Sequence, residues 1–406
     1  MIRKILLSLI GLLVIGTIAF FILAPGMIER DMNRIDGKPL PEISAEAQAL
    51  HDTLTIVDLH SDTLLWKRNL LDRAERGQMD LPRLQDGNVA LQIFSSVTKT
   101  PKDQNYDSNS AESDNITGLV IGQLQPTHTW DSLLQRSLWH GQKLDKAAEG
   151  SDRALLKISN AETLAELFEA RDAATDTKPV GAMLSIEGLH NLEGNAENLG
   201  LLFEAGFRMA SLTHFFDNEL AGSMHGLKKG GLTPMGREVM ARMEQIGMIV
   251  DIAHLSKAGV AEVLASATRP VVSSHGGVQA TCKVNRNLND NEIRGLAETG
   301  GIIGIGYWEG AVCDTSPAAI AKAMKHVRDL VGIKHVALGS DYDGAVTVRF
   351  DTSGLVQVTQ ALMEAGFSED EIRDVMGRNA IRVLTAGIMP APAAALNTPE
   401  AVDPAE

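Results

Sequence analysis

Two cysteines in 406 residues are too few for a disulfide scaffold or a four-cysteine zinc site. Basic residues are scarce as well: 37 Lys and Arg stand against 52 Asp and Glu, a formal charge of -15, and no Lys/Arg-rich cluster offsets it. An anionic polymer would be repelled, so nucleic acid is not expected as a partner. The chain has no internal repeat and no glycine motif that could cradle phosphate.

What is present begins with an uncharged apolar run, Ile5 to Ala24, just long enough to cross a bilayer as a helix. Arg3 and Lys4 precede it, and the positive-inside rule then keeps them cytoplasmic and puts the rest of the chain periplasmic or extracellular. A cleaved signal peptide is the competing reading, but Ile22 and Ala24 before Pro25 make a poor cleavage site, and with no cysteine just beyond, a lipoprotein anchor is excluded. Residues 1–25 are therefore expected to form a retained single-pass anchor and residues 26–44 a linker. A catalytic unit is expected over 45–388, and the Ala/Pro-rich, acidic stretch 389–406 as a disordered tail.

The body of the chain alternates strand-like and helical tracts. In Thr55-Ile-Val-Asp-Leu-His60-Ser-Asp62 the two-residue period puts Asp58, His60 and Asp62 on one face. Ala182–Ile186 then runs into Glu187, Met209–Thr213 into His214, Met248–Ala253 into His254, Pro270–Ser274 into His275, and His335–Ser340 into Asp341. Val89–Phe94 and Gly301–Tyr307 bring the strand candidates to eight, of which six end on an ionisable or metal-binding side chain. Helical tracts lie between them: Gly236–Gly247 with Gly247 as its stop, Asp290–Gly300 with Asp290 as N-cap, and Ser368–Leu384 opening on acidic residues. This is the pattern of an α/β (β/α)8 TIM-type barrel, whose strand C-termini share one face. Residues far apart in sequence would meet there as the site of a metal-dependent hydrolase. The polar insertion 99–117 after the second strand falls at that face's rim, where it can shape substrate access.

Val57-Asp-Leu-His60-Ser-Asp62, Ile186-Glu187-Gly, Leu212-Thr-His214, Asp251-Ile-Ala-His254, Ser274-His275, Arg286-Asn287 and Gly339-Ser-Asp341-Tyr-Asp-Gly together resemble the membrane dipeptidase (renal dipeptidase) family. The nearer likeness is to bacterial members carrying Gly-Ile-Gly-Tyr-Trp. The blocks occur in the family's order from about Ile56 to Leu384. The resemblance implies two Zn2+ ions, one held by His60, Asp62 and Glu187, the other by Glu187, His254 and His275, with Glu187 bridging. Two ions at bridging distance can acidify a shared water to hydroxide and polarise the scissile carbonyl. By the same resemblance Asp341 is the acid/base, His214 steadies the oxyanion, and Arg286 clamps the substrate's terminal carboxylate. Cys282 and Cys313 match positions that are disulfide-bonded in some relatives, with two buried free thiols as the alternative. A homodimer is also implied. Leu59 and Ser61 depart from the Gly and Asn of animal members without removing a ligand.

Each residue also has a plainer reading. A lone strand-end His is usually structural; Glu187 could serve a rim salt bridge, and Arg286 could pair with Asp290. Asp343, before a glycine, reads as a turn cap, and Asp58 as a group orienting a ligand. Histidines 51, 128, 140, 190, 225, 326 and 335 read as structural or surface. Tyr307 and Trp308 read equally as pocket lining or packing. The expected activity is hydrolysis of small dipeptides, including those with D-configured C-terminal residues. The alternatives are hydrolysis of another small amide, such as an N-acyl amino acid, and a catalytically silent membrane-tethered binding protein.

Overall fold

In a computed structural model that describes residues 2–389, eight parallel strands close into a barrel. They are β1 (Ile56–Asp58), β2 (Val89–Val97), β3 (Val180–Glu187), β4 (Phe207–Ser211), β5 (Ile249–Asp251), β6 (Val272–Ser273), β7 (Ile302–Ile305) and β8 (Val336–Leu338). Each pairs in parallel with the next in sequence, and Leu338 of β8 pairs with Asp58 of β1 to close the ring. Every residue of β2 and β3 is buried, as expected where strands have helices outside and packed side chains inside.

The expected TIM-type barrel is thus present, with corrections in detail. A further strand, Leu155–Ile158, pairs with the first half of β3 outside the ring, while β4 takes the second half of the same edge. The helix Asp290–Glu298 is capped by Asn289, not Asp290. The Asn289 carboxamide oxygen accepts from the backbone of Asn291 and Glu292, and the Glu292 carboxylate accepts in return from the Asn289 N–H. Between β4 and β5 the helix Pro234–Ile246 starts on a Thr233 cap and stops at Gly247, whose φ of +83° is left-handed. The last helix, opened by a Ser368–Glu371 capping box, passes through a π-turn at Asp374–Arg378. There Gly377 lies so close to the Thr55 carbonyl, just before β1, that a Cβ would clash.

A helix spans Ile2–Met32, and most of its apolar residues are exposed. The stretch 26–44, expected to link span to barrel, is folded onto the barrel. Glu29, 1 % exposed, accepts from Arg68 Nε at 2.5 Å and Arg76 Nε at 2.6 Å. Arg34–Ile35 pairs with Thr347–Val348 in a small parallel sheet, and Asn33 accepts from the Ala345 N–H. Residues 390–406, expected as a disordered tail, lie outside the described residues.

Because both arginines converge on one buried carboxylate, Glu29→Gln should destabilise the protein by about 3 kcal/mol, the cost of leaving buried charge uncompensated. Thermal unfolding in detergent checks this. An unchanged midpoint would mean that the two arginines find other partners.

Candidate metal centre

The carboxyl ends of the strands bring the expected side chains together. After β1, Leu59 N–H bonds to the Leu338 carbonyl and Asp62 N–H to that of Tyr342, so the segment carrying His60 and Asp62 stays beside the one that follows β8. Glu187 is the last residue of β3. His254 and Asp341 follow β5 and β8 with φ of +63° and +62°. A left-handed non-glycine residue costs roughly 1–2 kcal/mol, so these two turns are held by their surroundings.

Two buried aspartates do the holding. The Asp58 carboxylate accepts from the N–H groups of His60 and Ser340 and from the Ser340 hydroxyl, tying the β1 turn to the segment that carries Asp341. Asp251 accepts from the N–H groups of Ala253 and Ser274 and from the Ser274 hydroxyl, and that hydroxyl lies 2.9 Å from His275 Nδ1. Asp251 thereby braces the His254 turn and the His275 ring together. The sequence reading missed it, although an aspartate inside the apolar Met248–Ala253 run was the available signal. Asp251→Asn should weaken metal retention about 10- to 100-fold against a competing chelator while the fold persists. Unchanged retention would show that Asp251 does not brace these ligands.

The donors face one another across short gaps. Glu187 Oε1 is 2.7 Å from His254 Nε2 and 3.1 Å from His275 Nε2, and the two imidazole nitrogens are themselves 3.1 Å apart. Its other oxygen, Oε2, is 3.6 Å from His60 Nε2, which is 3.5 Å from Asp62 Oδ1. Ligand atoms at zinc-type bond lengths in a tetrahedron lie roughly 3.4 Å apart, so these gaps suit shared divalent cations. Both ring nitrogens of His60 and Asp62 Oδ1 are buried without a hydrogen-bond partner, as ligand atoms would be.

The compact groupings are broader than the two expected triads. They are His60, Glu187 and His275; Glu187, His214 and His254; and His60, Asp62 and Asp341. His214 Nε2 stands 3.5 Å from Glu187 and Asp341 Oδ1 3.8 Å from His60, so both lie at the edge of ligand range.

Burial and charge set the protonation pattern. Burial, reinforced by the charge of Glu187, pushes Asp62 up to about 6. It pushes Asp341 well above the usual carboxylate range, with Asp62 and Glu187 adding to the rise and His60 opposing it. Burial would also raise Glu187, but His214 and His60 hold it well below. Burial, with Arg286 adding, keeps His254 and His275 well below the ordinary imidazole value, hence neutral and able to ligate. His60 goes the other way: burial opposes its charging, yet Glu187 and Asp62 lift it well above the ordinary value. Glu187 and Asp62 thus draw positive charge to one point, and bound cations would supply it.

The remaining site residues lie around this cluster. Arg286 is 3 % exposed, donates to the His275 carbonyl at 2.8 Å, and sits 5.8 Å from the Trp308 ring. It does not pair with Asp290, which pairs with His326 at 2.8 Å, and among the described residues it meets no carboxylate within ion-pair distance. Cys282 and Cys313 are joined by a disulfide, which links the segment before Arg286 to the segment after Trp308. Tyr106, from the 99–117 insertion, accepts from Trp308 Nε1 at 3.0 Å, and its backbone carbonyl lies 2.8 Å from His225 Nδ1. The insertion therefore reaches the rim, and the sequence did not single out Tyr106. His225 and His190 lie near the cluster, with His190 bonded to Thr98. Tyr307 packs against Tyr342 and Phe350. Asp343, expected as a turn cap, is instead a buried hub that accepts from Thr63, Arg68 and the Gln78 N–H.

The sequence model described as Membrane dipeptidase (Peptidase family M19) matches residues 44–390. Dipeptidase aclJ of Aspergillus oryzae is 31% identical over 350 residues, covering 81% of this chain and 77% of that protein. Dipeptidase 3 of Rattus norvegicus is 26% identical over 84% of this chain and 67% of its own length. The fold matches the probable dipeptidase PvdM from Pseudomonas aeruginosa with a TM-score of 0.71 at 18% identity, over 85% of this chain and 98% of that one. It also matches a metallopeptidase from Rhodobacter sphaeroides, liganded with a phosphinate mimic of the dipeptide L-Ala-D-Ala. That TM-score is 0.65 at 21% identity, over 83% of this chain and 100% of that one.

Proposed function

The chain belongs to the membrane dipeptidase family and is a metallo-dipeptidase, and from that premise we propose that it uses two zinc ions to hydrolyse dipeptides with a free C-terminal carboxylate. D-configured C-terminal residues are included, a reading supported by the L-Ala-D-Ala mimic on the Rhodobacter sphaeroides relative. One observation carries the two-ion reading: the two oxygens of Glu187 face different partners, Oε1 toward His254 and His275 and Oε2 toward His60. His60, Asp62 and Glu187 would hold one ion and Glu187, His254 and His275 the other. When bound, the ions would supply a water acidified toward neutrality and a Lewis acid for the scissile carbonyl.

The protein's own groups do the rest. Asp341, buried beside Asp62 and His60, takes the proton of the attacking water and delivers it to the leaving amine. His214, whose protonation burial disfavours and Glu187 favours, stands 3.5 Å from Glu187 and steadies the oxygen on which charge develops. Arg286, a buried cation with no carboxylate partner among the described residues, receives the substrate's C-terminal carboxylate. The helix Ile2–Met32 anchors the chain in a membrane, leaving the barrel, residues 45–388, outside the cytoplasm.

Hydrolysis of a panel of free dipeptides, their D-configured C-terminal counterparts, C-terminal amides and N-acyl amino acids tests the reading. Cleavage confined to compounds with both a free amine and a free carboxylate is the expected result. Preference for N-acyl amino acids would overturn the dipeptide assignment in favour of another amidohydrolase reaction.

A further inference from the structure

A cleft of about 530 Å³ is lined both by Asp62 and His214 of the metal centre and by Phe20, Ile28 and Met32 of the N-terminal helix. Much of its remaining wall is apolar, notably Trp66, Leu119 and Phe215. Phe20 lies inside the run Ile5–Ala24, and at 1.5 Å per residue Met32 is roughly 18 Å further along the helix. One cleft therefore connects the apolar segment with the reacting groups. Phe20, Ile28 and Met32 remain 56, 43 and 44% exposed although they line it, so much of their apolar surface is left uncovered among the described residues.

The orientation of this wall is fixed. Glu29, between Ile28 and Met32, is gripped by Arg68 and Arg76, and Arg68 also pairs with Asp343, two residues from Asp341. The cleft also has a direction relative to the substrate. Arg286, beside His275 and Trp308, does not line it. A dipeptide with its carboxylate on Arg286 therefore directs its other end, the N-terminal residue, toward the helix.

We propose that the N-terminal helix is one wall of the substrate cleft, so that the site opens at the membrane surface and takes dipeptides whose N-terminal residue carries a long apolar side chain. The proposal rests on the dipeptidase reading and on the helix spanning the bilayer. The side chain would lie along Ile28 and Phe20 while the peptide bond sits at Asp62 and His214.

The test uses the full chain in lipid nanodiscs and dipeptides ending in alanine whose N-terminal residues carry linear alkyl side chains of one, four and eight carbons. The value of kcat/KM should rise roughly three- to fourfold per methylene until the cleft is filled, mostly through KM. Ile28→Asn and Met32→Asn should each cut the advantage of the eight-carbon compound over the one-carbon compound about tenfold, with metal content retained. A flat or falling series would overturn the proposal and leave the dipeptidase reading standing. A rising series that both variants preserve would overturn the helix as the wall. No cleavage of any member would overturn the dipeptidase reading and the proposal together.

Discussion

Glu187→Gln should lower dipeptide hydrolysis by about three orders of magnitude or more, equivalent to roughly 4 kcal/mol of transition-state stabilisation, and should release bound metal. The substitution keeps the shape of the side chain and removes its charge and one acceptor oxygen. No other residue could replace what is lost, because the two Glu187 oxygens face His254 and His275 on one side and His60 on the other. His60 would also lose the stronger of the two carboxylates that draw positive charge to it, Glu187 being the larger influence and Asp62 the smaller. Metal analysis of the purified variant, alongside steady-state hydrolysis, checks both parts. Full activity with full metal would remove Glu187 from the centre.

Asp341→Asn should cost about 10²- to 10⁴-fold in hydrolysis with metal content kept, since a positioned proton-transfer group contributes on that scale. Asparagine is among the few residues that accept the left-handed backbone Asp341 adopts, so the turn should survive. Asp58 also grips Ser340 without involving the Asp341 side chain. The variant separates two roles that the geometry brings close together, because Asp341 Oδ1 lies only 3.8 Å from His60 and groups with His60 and Asp62. Loss of metal together with activity would make Asp341 a ligand rather than the acid/base.

Much of this arrangement was legible because a parallel barrel gathers the ends of its strands on one face. Apolar runs ending on Glu187, His254, His275 and Asp341 announced which side chains would meet, and the alternation through Asp58, His60 and Asp62 gave their shared face. What escaped the reading depends on partners distant in sequence or on competition within a single turn. Asp343 looks like a turn residue until the fold brings Arg68, Thr63 and Gln78 around it. Glu29 gives no local sign that Arg68 and Arg76 will bury it, so the end of the anchor read as a linker. Asn289 displaced Asp290 as a cap because only Asn289 stands three residues before Glu292 and can complete the capping box. The short strand Leu155–Ile158 carries too few residues for a period to show.

The most direct test of the central claim, a dipeptidase working on two zinc ions, is to follow L-Ala-D-Ala hydrolysis by the full chain in detergent before chelation, after it, and during titration with zinc. The account predicts that activity disappears with the metal and returns in step with bound zinc up to two equivalents per chain. Hydrolysis that persists in verified metal-free protein, or full recovery at one equivalent, would contradict it.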